Sequence, residues 1–156
     1  MARVPITRAG YDKLKLELQR LQKEERPTVI KAIEEARGHG DLSENAEYEA
    51  AKEKQGIIEA KIAETTDKLQ NSEIVDLPQE VDGRVVFGCK VVVEDLETGV
   101  VSSYRLLGPY EADVTEGTIS ITSPIGKALI GREEGDAIKV QAPKGVRNME
   151  ILEILA

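Results

Sequence analysis

The sequence contains one cysteine, Cys89, and one histidine, His39, so neither an internal disulfide nor a Cys/His zinc site can be assembled from it. Tryptophan is absent, and four Tyr with one Phe bring aromatics to only 3% of 156 residues. That composition suits a thin helical seam and a small sheet core better than one thick globule. No apolar run approaches the roughly 20 residues of a membrane span, and the start lacks the pattern of a signal peptide. A cytoplasmic protein without membrane contact is therefore expected. Basic excess is missing too. The formal net charge is −8, with 13 basic and 16 acidic residues in 1–76 and 8 and 13 in 77–156. Neither half has the surplus of cations that counterion release rewards, so independent binding to duplex DNA is not expected.

What the chain does have is two periods. From Tyr11 to Gln70 only Pro27, Gly38, Gly40 and Gly56 interrupt a run rich in Glu, Lys, Ala, Leu and Gln. From Val85 onward, β-branched residues and Tyr alternate with polar residues, and glycine becomes frequent. The join, about 76–83, has neither period. Two domains follow, 1–76 and 77–156.

In the first half apolar residues recur at Leu14, Leu18, Leu21, Val29, Ile33 and Ala36, with Glu25 on the same stripe. Three successive steps of four make a stutter beside Pro27, whose missing N–H is expected to bend or loosen the helix. A second stripe runs through Ala51, Gln55, Ile58, Ile62, Thr65 and Leu69. Facing residues of two antiparallel helices have position numbers with a constant sum. Leu18 with Ile62, Glu25 with Gln55 and Val29 with Ala51 each add to 80, and Leu21 with Ile58 and Leu14 with Thr65 to 79. The polar residue of each stripe meets the other, a layer that would discourage slipped registers. An antiparallel α-helical coiled-coil hairpin is expected, each arm roughly 40 Å long at 1.5 Å per residue.

The second half reads as a small antiparallel β domain. Lys90 to Asp95 and Val100 to Leu107 flank a hairpin turn, and Thr118 to Thr122 is a further strand. Ser123-Pro124 is an N-cap and first helical position, and Gly131 a stop, so one short helix is expected over Ile125 to Ile130. Ala137 to Gln141 and Asn148 to Leu155 complete the sheet. The class is α+β.

The hairpin turns back at 38–44. Asp41 and Glu44, three residues apart, fit a capping box, with Asp41 bonding the first free N–H groups and Glu44 reaching back. The same two carboxylates share a helical face and could ligate a hard divalent ion such as Mg²⁺, with a partner supplying the other oxygens. Arg37 and Lys52 read as solvated helix charges, His39 as a turn residue, Tyr48 as cover for the seam and Cys89 as buried filler.

The run from Arg37 through Gly38-His39-Gly40-Asp41-Leu42-Ser43-Glu44 to Tyr48 resembles the hairpin tip of the Gre transcript-cleavage factors. A second stretch, Ile119 to Gly131, resembles that family's C-terminal signature, and the similarity runs along nearly the whole chain. The resemblance implies an FKBP-like C-terminal domain docked on bacterial RNA polymerase, with the coiled coil threaded into the secondary channel. It implies no enzyme in its own right, but a factor that stimulates the polymerase's cleavage of backtracked RNA. Asp41 and Glu44 match the family's catalytic acids, which help hold a Mg²⁺ shared with the polymerase rather than one bound stably alone. Arg37 and Lys52 match basic positions that contact the extruded RNA 3′ end. Lys52 stands where an arginine is common, and Ser43 where some members carry lysine. Two other readings stay open: a Gre-like inhibitor that blocks the channel, and a coiled-coil adaptor or chaperone with a peptide-binding FKBP-like domain.

Overall fold

The structure is a computed structural model, described for residues 3–40 and 45–156. Its elements are β1 (Val4–Ile6), α1 (Arg8–Arg20), a π-helical turn (Leu21–Glu25), α2 (Arg26–Arg37), α3 (Ala46–Asn71), β2 (Ser72–Ile74), β3 (Lys90–Asp95), β4 (Val101–Leu107), a 3₁₀ turn (Val114–Glu116), β5 (Thr118–Ser120), α4 (Pro124–Leu129), β6 (Ala137–Ala142) and β7 (Gly145–Leu155). Residues 75–83, around the expected join, hold neither helix nor strand. The compact units differ from a plain division at 76. Residues up to Gly10 group with Ser72–Ala156, and Tyr11–Asn71 form the second unit.

The helical unit is the expected hairpin. Its seam buries Leu21, Val29, Ile33 and Ala36 from one arm and Ala51, Ile58, Ile62 and Thr65 from the other. The stutter takes the form of the π turn, in which the N–H of Arg26 reaches back five residues to the carbonyl of Leu21. Pro27 has no N–H to offer Lys23, so a regular α-turn would leave that carbonyl unpaired. The wider turn admits an extra residue and keeps Leu21 and Val29 on one face. Glu25 and Gln55 are both half-buried, but their bonds run along the arms rather than across the seam. Glu25 accepts from Arg20, and Gln55 accepts from Lys52 at 3.3 Å. Across the arms Arg26 grips Glu59 with two bonds, 2.7 and 2.8 Å. The Arg26 guanidinium holds the Glu59 carboxyl below its usual range.

The other unit is a five-stranded sheet in the order β5-β4-β3-β7-β6. β3 pairs antiparallel with β4 and β7, and β7 with β6. β5, however, runs parallel to β4, so the sheet is mixed rather than wholly antiparallel. Residues 108–117 carry the chain back across the sheet end, which a parallel pair requires and a tight hairpin turn cannot provide. Val91, Val93, Leu106, Ile138, Met149 and Ile151 fill the core with Leu129 of α4. The Ser123 hydroxyl accepts from the N–H of Gly126, the cap expected for α4. A second, two-stranded parallel sheet pairs β1 with β2. Thr7 caps α1 through the N–H of Gly10 at 3.1 Å, and Glu111 bonds the N–H of Thr7 at 2.8 Å.

Candidate functional site

The tip is built where α2 stops. Gly38 N–H turns back on the carbonyls of Glu34 and Glu35, and His39 N–H on that of Ala36 at 3.1 Å. Gly40 has φ of +105°, the conformation open to glycine, whereas Gly38 stays right-handed at −66°. Asp41 and Glu44 lie outside the described residues. Arg37 is exposed at the end of α2. Lys52 is exposed on α3, with its ammonium on Gln55. Tyr48 is half-buried in the first turn of α3. His39 Nδ1 sits 2.9 Å from a carboxylate oxygen of Glu47, and both side chains are well exposed.

Sequence reasoning missed the residue that organises this end. Helix α3 begins at Ala46, and its cap is Asn45, whose Oδ1 accepts from the N–H of Tyr48 at 3.0 Å. The N-cap of α3 is thus Asn45, while the capping box read at Asp41 and Glu44 lies outside the described residues. The Nδ2 of the same amide donates to the carbonyl of Ala36 at 2.6 Å, joining the last turn of α2 to the first of α3. The missed signal was an Asn directly before an Ala/Glu-rich run, without the Glu three residues on that would mark a capping box.

Elsewhere the titratable candidates recede. Cys89 is wholly buried, and burial pushes its thiol up, away from the reactive thiolate. Among the described residues no three His, Cys, Asp or Glu side chains are grouped to hold a metal ion. Among the same residues no helix is long and apolar enough to cross a membrane. A groove lined by Val85, Val86, Phe87, Ile121, Lys127 and Ile130 on the sheet unit contains a single aromatic ring. That is a poor match to the aromatic-walled pocket a proline-binding domain uses.

Two family models tile the sequence: the N-terminal domain of transcription elongation factors over residues 4–74, and the GreA/GreB C-terminal domain over 79–156. The chain belongs to the GreA/GreB transcription elongation factor family. Relatives in that family include transcription elongation factor GreA of Syntrophobacter fumaroxidans, 66% identical over 154 residues and 99% of both chains. The GreA of Thioalkalivibrio sulfidiphilus is 52% identical over 155 residues, 99% of this chain and 98% of the other. A solved structure, GreA factor homolog 1 of Thermus thermophilus, is 34% identical over 99% of each chain, with a TM-score of 0.43. The gap between the two matches, residues 75–78, lies in the stretch that follows β2.

Proposed function

We propose that this protein is a transcription elongation factor that binds RNA polymerase and stimulates the polymerase's own cleavage of backtracked RNA. In this reading the sheet unit docks on the polymerase, and the hairpin enters the secondary channel. Arg37 and Lys52 steer the extruded RNA 3′ end, and Asp41 and Glu44 are offered to the active centre. The protein hydrolyses nothing alone.

Supporting the reading is family membership across both halves, together with a hairpin whose turn carries Asp41 and Glu44 in sequence. The single observation that carries the role of the acids is the Asn45 cap. The N–H of Tyr48 is bonded by Asn45, so the N-cap of α3 is Asn45. Two carboxylates are hard oxygen donors of the kind Mg²⁺ takes, so Asp41 and Glu44 would hold it together with ligands from the partner. Held there by Asp41 and Glu44, such an ion would supply Lewis acidity for the attack of water on the RNA phosphodiester. The chain's own share is to deliver negative oxygen ligands into a channel. Exposed cations at Arg37 and Lys52 attract the RNA backbone.

The test is transcript cleavage in stalled elongation complexes, with and without the protein. The double variant Asp41→Asn with Glu44→Gln should keep polymerase affinity and helical circular dichroism, because α3 retains its Asn45 cap, and should lose stimulated cleavage. Wild-type cleavage by that variant would remove the metal role. Polymerase binding that slows cleavage would mark a channel blocker instead.

A further inference from the structure

We infer that Asn45 is a positioning residue for the tip carboxylates, acting as a clamp that ties the two helix ends between which they lie. This rests on the reading of Asp41 and Glu44 as the metal-binding pair. The observation behind it is one side chain doing two jobs. The final carbonyls of α2 and the first N–H groups of α3 have no partners within their helices. An ordinary N-cap answers only the second need, and Ser or Asp would serve about as well as Asn. Asn45 answers both. Its Oδ1 accepts from the N–H of Tyr48 at 3.0 Å, and its Nδ2 donates to the carbonyl of Ala36 at 2.6 Å.

The two partners also fix which way the amide faces. Reversed, it would set N–H against N–H and oxygen against oxygen. Ala36 is 2% exposed and Asn45 half-buried, so water competes weakly for the cross-helix bond. The neighbouring tie between His39 and Glu47 is exposed at 59% and 71%, where such pairs add little. Among the described residues, Asn45 thus makes the sheltered side-chain bond between the end of α2 and the start of α3.

The segment so tied, Arg37 to Glu44, has eight residues, and the acids are its fifth and eighth. Fixing the ends of a short segment removes much of its conformational freedom. Ligands for a metal held in another protein's active centre must arrive in register, since a misplacement of about 1 Å can cost on the order of 100-fold in rate. A cap alone would leave the carbonyl of Ala36 without this bond to the start of α3.

Asn45→Asp and Asn45→Ser separate clamp from cap: both keep a side-chain oxygen for Tyr48, but the carboxylate has no donor for Ala36 and the serine hydroxyl ends one atom short of the amide nitrogen that reaches it. Each is made in the full chain and titrated into backtracked complexes, varying factor and Mg²⁺ separately. The expected result is half-saturation by factor within about twofold of wild type and a maximal cleavage rate lowered by about tenfold. The Mg²⁺ needed for half-maximal rate should rise, and helical circular dichroism should not change. Wild-type maximal rate and Mg²⁺ dependence in both variants would overturn the inference and leave Asn45 a cap. A rate loss matched by an equal loss of polymerase affinity would overturn it too. Failure of the underlying reading looks different: the Asp41→Asn, Glu44→Gln protein, with Asn45 intact, would then cleave normally.

Discussion

Glu111 accepts hydrogen bonds from both the backbone N–H and the hydroxyl of Thr7, 104 residues earlier in the chain. The hydroxyl in turn caps α1 through Gly10. In a capping box the acid stands three residues after the cap, on the same helix. Here that position is Gly10, and a Cβ there would meet a Glu111 oxygen at 2.2 Å. The acid has been supplied from the loop after β4, and the glycine leaves room for it. Glu111→Ala would leave two donors of a nearly buried threonine unpaired, at a cost of about 1–3 kcal/mol. Thr7→Ser keeps the chemistry and should cost much less. Urea unfolding of the two full-length variants, compared at equal m-value, checks the order.

Two glycines should respond to alanine with opposite signs. At Gly126 a Cβ would lie 2.0 Å from the carbonyl oxygen of Ser120 and 2.9 Å from the Cα of Ile121. Both obstacles are backbone, so Gly126→Ala should force α4 away from β5 and destabilise by about 1–3 kcal/mol or more. Gly56, inside α3, has nothing within 4 Å of its imagined Cβ. Gly56→Ala therefore gains helix propensity at no steric cost, about 0.5–1 kcal/mol. Denaturant midpoints for the two variants should move in opposite directions.

Much of the fold was legible because its signals are local. Lys90–Asp95 alternates buried and half-buried positions residue by residue, as its period implies. Ser123-Pro124 caps and opens α4 where cap chemistry requires. Even the π turn had its trace in three steps of four beside Pro27. What escaped was non-local or too short. β1 has three residues, one of them Pro5, and pairs with a strand that begins at Ser72. No alternation can be read from such a segment, and nothing in it names its partner. The parallel β4–β5 pair escaped because strand direction is set by the path of the connection, which carries no period. At the tip, Asp41 and Glu44 form the more familiar capping pattern, and it drew attention from Asn45. The cross-helix half of Asn45's role depends on Ala36, nine residues away, and becomes visible only once both helices are placed.

The turn between β3 and β4 should make part of the stability dependent on pH. The Asp95 carboxylate accepts from the N–H of Glu97 at 2.9 Å and of Thr98 at 3.2 Å. Those backbone donors, Glu97 first, hold its pKa below the ordinary carboxylate value. A depressed folded-state pKa contributes stability above the unfolded value, near 4, and that contribution is lost as pH falls through the folded value. Asp95→Asn keeps an acceptor oxygen and cannot titrate there. The stability gap between wild type and Asp95→Asn should therefore be greatest near neutral pH and shrink steadily below about pH 4. Unfolding curves taken from about pH 6 down to pH 2 check it, and a gap that stays constant would exclude the turn as the source.

The N-terminal strand belongs to the sheet unit, and this determines where the chain can be cut. Ile6 of β1 is fully buried, and its carbonyl accepts from the N–H of Val75 at 2.9 Å. Gly108 lies so close to β1 that a Cβ there would fall 1.9 Å from the carbonyl oxygen of Pro5. A fragment of residues 77–156 loses all of this. It forfeits about 1.5–3 kcal/mol for burial of one isoleucine side chain, and the carboxylate of Glu111 loses Thr7. A different construction keeps them: residues 1–10 joined to 72–156 by a short Gly/Ser linker in place of the hairpin. Because β1 and β2 are parallel, with Val4 beside Ser72, the linker must return along the length of one short strand. About six residues span that distance as a flexible coil. The linked protein should unfold at higher urea than 77–156, by an amount that shrinks when Ile6→Ala is introduced into it. If 77–156 alone matches the linked protein, β1 contributes nothing to the unit. If the linked protein also holds polymerase as tightly as the full chain does, the docking surface lies within the sheet unit, and the hairpin adds reach rather than affinity.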